Sequence, residues 1–164
     1  MSSDRFRPSV TVAAVIEHGG RYLLIEEETP EGLRLNNPAG HLEQGETPLQ
    51  AVCREALEET ARIFTPAALL GIYLSRFQRP ARGEDVTYLR LAYRGSAGEP
   101  LPGRRLDAGI VRTLWLTSEE LRACSDRHRS PLVQRCIDDH VAGRSFPLDL
   151  LSADASLFVP EIKR

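Results

Sequence analysis

The sequence predicts an α/β fold, and three observations carry that expectation. Two runs rich in β-branched and aliphatic residues, Val10 to Glu17 and Arg21 to Glu27, flank a Gly-Gly turn near the start. A helix with both a cap and an apolar stripe begins at Pro48. Strand-like runs at Ala67 to Phe77, Val86 to Arg94 and Ile110 to Leu116 then precede two short helices. At 164 residues the length fits one domain with a proper core, expected to span 1–164 with 1–8 and 151–164 as peripheral tails.

In chain order, His18-Gly19-Gly20 turns the first hairpin. Glu28 to Asn36, with Pro30 and Gly32, reads as a surface loop that overhangs a substrate, and Leu35 to Pro38 as a short strand entering a turn at Gly40. Gln78 to Asp85 reads as a polar loop between two strands. Ser96 to Gly109, with Pro100, Pro102 and three glycines, reads as a second long loop of the kind that is functional or disordered. Thr117-Ser118-Glu119-Glu120 is a capping box opening a short helix, and Ser130-Pro131 opens a last helix towards His140, stopped near Gly143. Trp115, between Leu114 and Leu116, is assigned to the core; Tyr73 is assigned to strand packing and Pro80 to a loop turn.

The helix at Pro48 is the most strongly specified element. Thr47 suits the N-cap, Pro48 fills a first position that needs no N–H, and Gln50 completes a capping box. At about 100° per residue, Leu49, Val52, Cys53, Ala56 and Thr60 share one stripe. Glu55, Glu58 and Glu59 share another, with Arg54 at its edge, so the acids are expected to face outward together. Like charges this close repel, and a cation should compensate. Hard divalent ions such as Mg²⁺ take oxygen ligands and engage substrate phosphates, so the cluster reads as a metal site for phosphate esters, against the plainer alternative of a solvated acidic face.

The spacing of the whole block weighs against the solvated face. Gly40, Glu46, Arg54, Glu55, Glu58 and Glu59 match G-x5-E-x7-R-E-U-x-E-E-x-G-U, the Nudix box, and the chain resembles a Nudix hydrolase. The resemblance implies an α/β/α sandwich with a mixed β-sheet and Mg²⁺-dependent hydrolysis of a diphosphate linked to another moiety, with Mn²⁺ as a substitute. It implies Glu55, Glu58, Glu59 and the carbonyl of Gly40 as metal ligands, and Arg54 with Glu46 as the pair that orients the helix. Ala56 and Arg62 depart from the aliphatic positions, and Ala61 from the glycine. Alanine in a left-handed C-cap costs roughly 1 kcal/mol. The helix is therefore expected to run on or end differently, with Ile63 taking the apolar slot.

Further segments, Phe6 to Val12, Asn37 to Glu43, Trp115 to Leu121 and Arg129 to Val133, resemble a bacterial phosphatase subgroup of the family, to about Leu150. That implies orthophosphate release from nucleoside tri- and diphosphates and from hydroxymethylpyrimidine diphosphate. Two rivals stand beside it: a nucleotide pyrophosphatase that releases pyrophosphate, and a ligand-sensing module without turnover. The complete acid set argues against the second. Glu58 and Glu59 are assigned the principal metal. Glu55 adds a ligand or accepts the water's proton, Arg54 holds Glu55 or Glu58, and the identity of the base is open. His41 is a candidate for substrate contact or for a local hydrogen bond. Asp107, Glu84 and Asp85 are candidates for a further acid, Asp107 first.

Composition bounds the partners. A net charge of −2 favours neither nucleic acid nor an anionic membrane, and the resemblance implies a small-molecule phosphoanhydride as the partner. Lys163 is the sole lysine among 21 basic residues, a bias assigned to codon usage. Cys53, Cys124 and Cys136 show no metal-ligand spacing and fit a reducing cytoplasm. Met1 to Pro8 carries no apolar leader segment, and no run reaches the roughly 18 apolar residues of a membrane span. A cytoplasmic monomer or homodimer is expected.

Overall fold

The structure is a computed structural model and describes residues 5–160 and 162. Strand β1 (Ser9–His18) organises it. Gly19 and Gly20, both with positive φ, turn β1 into β2 (Arg21–Thr29), but the two strands pair only next to the turn, at Glu17↔Tyr22 and His18↔Arg21. Beyond it they part. β1 runs between β4 (Ala39–His41), antiparallel, and β6 (Glu84–Ala97), parallel, with β5 (Phe64–Arg79) beyond β6. β2 runs between β3 (Gly32–Asn36) and β7 (Ile110–Leu116), both antiparallel. The mixed sheet is covered on both faces, so the sandwich expected from the resemblance is the observed architecture.

The alternation of side chains along β1 divides the core. Val12, Ala14 and Ile16 pack with Ala51, Val52 and Ala56 of helix α1 (Pro48–Thr60). Ala13 and Val15 point the other way, towards Leu121 of α2 (Ser118–Ala123) and Val133, Cys136 and Ile137 of α3 (Leu132–Val141). No described helix is long and apolar enough to cross a membrane, and the three cysteines are free thiols.

Both capping boxes form as read: Thr47 Oγ1 accepts the Gln50 N–H at 3.2 Å, and Thr117 Oγ1 accepts that of Glu120 at 3.1 Å. The end of α1 differs from expectation. Ala61 adopts the left-handed conformation (φ 56°, ψ 21°), its N–H donating to Leu57 O and its carbonyl accepting the Leu101 N–H. Bonds on both sides of the peptide hold alanine where glycine would be cheaper. The turn also shifts the apolar slot, leaving Ile63 58% exposed and Phe64 3% exposed.

Two expected loops are largely strand. Glu28 to Asn36 folds as the tight β2–β3 hairpin, because Gly32 supplies φ 96° and Thr29 Oγ1 donates to its carbonyl. Gln78 to Asp85 continues β5 and β6 to a short 3₁₀ turn at Pro80–Arg82, its polar side chains paired across the hairpin, Arg76 with Asp85 and Arg79 with Glu84. The expected loop over Ser96 to Gly109 is a loop from Gly98 onward, pinned to α1 by Leu101 N–H to Ala61 O and Asp107 N–H to Glu58 O. Towards the C-terminus Phe146 pairs with Leu69, and Leu148 and Leu151 pack on the α1-side core.

Glycine is required at Gly95 in β6, where an added Cβ would fall on the Thr65 carbonyl oxygen and crowd Phe64 and Pro66. Backbone cannot swing aside as a side chain can, so Gly95→Ala should destabilise by about 1–3 kcal/mol, the usual scale of overpacking. Gly98, with open space at its Cβ, is the control. Thermal melts should show a fall of several degrees for Gly95→Ala and little change for Gly98→Ala; equal shifts would refute the steric account.

Candidate active site

A groove of about 1020 Å³ runs from β4 and the acidic face of α1 across the β1–β6–β5 surface to the segment entering α3. At its acidic end Arg54 binds four groups. Its Nε and Nη2 grip Glu46 at 3.1 and 2.7 Å, its Nη1 donates to Glu55 at 2.7 Å and Glu58 at 3.1 Å, and its Nη2 also reaches the His41 carbonyl at 3.0 Å. Glu46 in turn accepts the Glu43 N–H at 2.8 Å, which locks the turn between β4 and α1. Arg54 thus hydrogen-bonds both Glu55 and Glu58.

The acids do not face outward together. Glu55 and Glu59 are 9% and 8% exposed, turned against β4, and Glu58 is the more open. Gly40 makes this possible: a Cβ there would occupy the position of the Glu55 carboxylate. Glu59 accepts the Ala39 N–H at 2.8 Å.

Burial sets the electrostatics. It pushes the Glu59 carboxyl up to about 9, against the Ala39 hydrogen bond, with Glu55, Glu27 and Asp107 adding to the rise. Burial likewise raises Glu55 despite Arg54, whereas the Arg54 hydrogen bonds hold the less enclosed Glu46 below the usual carboxylate range.

An all-oxygen set with buried, mutually repelling carboxylates suits a hard divalent cation. Among the described residues, however, no three acidic, histidine or cysteine side chains converge as a ready coordination sphere. The reason is local. Arg54 occupies one oxygen each of Glu55 and Glu58, and the Ala39 N–H takes one of Glu59, so a cation would share acids already oriented by other partners.

The remaining expected residues divide. Asp107 and His41 line the groove, Asp107 delivered there by its backbone bond to Glu58. Glu84 lines it too, paired with Arg79. Asp85 does not; it is bound by exposed Arg76 at 2.7 and 2.5 Å. Trp115 sits in the α1-side packing under the Arg62 guanidinium, away from the groove. Sequence reading missed Glu27, Phe77, Tyr88 and Arg90, all of which line the groove. Arg90 had a signal, a lone charge between Leu89 and Leu91 on a strand.

Fold and site together define a class. The family model for the NUDIX domain matches residues 5–136, and the chain belongs to that family, hydrolases that act on phosphoanhydride bonds and generally use divalent metal ions. Among individual relatives, it is 32% identical over 146 residues to Phosphatase NudJ of Escherichia coli strain K12, covering 89% of this chain and 92% of the relative; NudJ of Shigella flexneri matches equally. Of solved structures, a NUDIX hydrolase from Nitrosomonas europaea is 48% identical with a TM-score of 0.81, covering 90% of this chain and 98% of that one. A MutT NUDIX hydrolase from Burkholderia pseudomallei is 25% identical with a TM-score of 0.65, over 82% and 98%.

Gly40→Ala tests the cradle. The group a methyl would displace is the far end of a flexible side chain, so the protein should fold with little loss of thermal stability. Glu55 would move by an ångström or more, and a misplacement of that size costs about 100-fold in rate. Near-normal turnover would show that the Glu55 position does not matter.

Proposed function

We propose that the protein is a Mg²⁺-dependent phosphohydrolase that releases orthophosphate from nucleoside tri- and diphosphates and from hydroxymethylpyrimidine diphosphate. The observation that carries this reading is the acidic end of the groove, where one guanidinium orients Glu46, Glu55 and Glu58 while Glu59 lies buried behind them. Similarity to a phosphatase over most of both chains supports the orthophosphate product.

In this reading Glu55, Glu58 and Glu59, with the Gly40 carbonyl, hold the metal. When bound, Mg²⁺ supplies charge neutralisation for the transferring phosphoryl group and a lowered pKa for water. The chain supplies positioning. Arg54 fixes Glu55 and Glu58 relative to Glu46 and the Gly40 turn, so the oxygens facing the groove are set before substrate arrives. Glu55, beside the groove, adds a ligand or accepts the proton of the attacking water. Asp107 adds negative charge on the loop side and, with His41, contacts the substrate.

Turnover of the three substrates in ¹⁸O-labelled water, with Mg²⁺ or with chelator, tests the proposal. Label should appear in orthophosphate, activity should vanish in chelator, and Mg²⁺ should restore it. Labelled pyrophosphate would establish the pyrophosphatase specificity instead, and full activity in chelator would overturn the metal assignment.

Arg54→Lys replaces a planar fork by a point charge unable to grip Glu46 with two bonds while reaching Glu55 and Glu58. Its kcat should fall about 100-fold, the scale of a misplaced catalytic group. Arg62→Lys, which alters a contact to the Gly98 carbonyl away from the groove, should stay near wild type. Equal losses in steady-state assays would remove the orienting role from Arg54.

A further inference from the structure

Arg90 is a groove residue that the proposed reaction leaves unused. It is 7% exposed on β6, yet it lines the groove, and its Nε and Nη1 are buried without a hydrogen-bond partner. Other arginines of the groove are matched: Arg54 by four acids, Arg76 by Asp85, Arg79 by Glu31 and Glu84, Arg129 by Glu27. Among the described residues Arg90 has no ion pair. A buried charge without a partner is one of the most costly arrangements a fold can keep.

The sheet register shows why no carboxylate among the described residues answers it. Tyr73, Arg90, Thr11 and His41 form one row across β5, β6, β1 and β4. The Tyr73 hydroxyl is committed to Asp139 at 2.8 Å, and Asp139 also takes Arg135 and Arg144. The Cys136 thiol, on the buried face of α3, lies against the Arg90 side chain, but burial pushes it up and it offers no anion. Two residues earlier on the same face of β6 stands half-buried Tyr88, its ring 6.3 Å from that of His41. Beyond it along the β5–β6 hairpin Phe77 also lines the groove.

We propose that Arg90 and Tyr88 form the subsite for the heterocyclic base of the leaving nucleotide, and that Arg90 selects bases with two adjacent acceptors, guanine and cytosine. The proposal rests on the reading of the protein as a nucleotide phosphohydrolase. The acidic end with its cation accounts for the phosphates, while the Arg90 end offers an aromatic side chain, apolar Leu132 and a planar donor, which suit a flat ring. A guanidinium presents its N–H groups as a fork and is best matched by neighbouring acceptors. Guanine has O6 and N7 and cytosine O2 and N3, whereas adenine and uracil alternate donor with acceptor along their edges.

The test reads binding, so that it stands apart from turnover. GMP, CMP, AMP and UMP are titrated calorimetrically in chelator, and inorganic pyrophosphate in Mg²⁺, against the wild type, Arg90→Met and Arg90→Lys. GMP and CMP should bind about tenfold or more tighter than AMP and UMP, the lower end of bidentate base discrimination. Both variants should lose that preference, with pyrophosphate binding unchanged. The ligand-free melting temperature of Arg90→Met should equal or exceed the wild type, because an unpaired buried charge is gone. If Arg90→Met fails to fold, Arg90→Lys alone decides: a retained preference overturns the proposal. So does a wild type blind to the base, or equal weakening of pyrophosphate and GMP, which would make Arg90 a phosphate contact. Intact base discrimination without hydrolysis of any nucleotide would sink the functional reading and leave the subsite standing.

Discussion

The guanidinium of Arg54 is the contact on which the acidic end of the groove depends. Four carboxylates, Glu43, Glu46, Glu55 and Glu58, lie within 4.0 Å of it, at 2.7 to 3.8 Å, on one turn and one helix face. Without a central cation they would push the Gly40–Thr47 turn away from α1, since like charges a turn apart are unfavourable even in water and more so when partly enclosed. Arg54 converts that repulsion into order. It spends Nε and Nη2 on Glu46, which fixes the turn, and Nη1 on Glu55 and Glu58, which fixes the helix face. Lysine has the charge but not the planar set of donors such an arrangement uses.

The sheet supplies the frame for this. Because β1 leaves β2 after two paired residues, it is free to take β4 on one side and β6 on the other. The first pairing brings Gly40 against α1, and the second builds the groove floor. The β2–β3–β7 strands are tied back by Glu26, which is buried and bound by Arg112 and Arg127. The segment Ser125–Arg129 that closes the far wall is thereby joined to the same strands that carry Glu27.

What the sequence made legible is what local chemistry decides. Thr47, Pro48 and Gln50 fix the start of α1 whatever surrounds them, and the spacing from Gly40 to Glu59 reports a constellation that short-range geometry can assemble. What stayed hidden depends on partners distant in the chain. Pro30 and Gly32 signal a loop unless one knows that β2 awaits β3. Arg76 and Asp85 read as loop polarity until they face each other across a hairpin. Ala61 holds a left-handed cap because Leu101, forty residues on, bonds its carbonyl. The inward turn of Glu55 and Glu59 was unreadable for the same reason, since periodicity places charges on a face but only β4 decides that the face is covered.

Arg54 and Arg90 show how one residue type serves opposite ends of a groove. Arg54 is saturated by the protein, so its strength is spent on geometry and it has little left for a ligand. Arg90 is held in place by the strand row and by α3 but has no counter-charge there, and its Nε and Nη1 are enclosed without a hydrogen-bond partner. The acidic end, by contrast, has carboxylates whose proton affinity burial has raised and which a cation would relieve. Each end is therefore deficient in the charge that the other has in excess. Salt bridges between them would have stabilised the free protein at the cost of filling the groove. The β1–β6 register keeps them apart by placing neutral Thr11 between His41 and Arg90, so the groove is left to be neutralised by what binds in it.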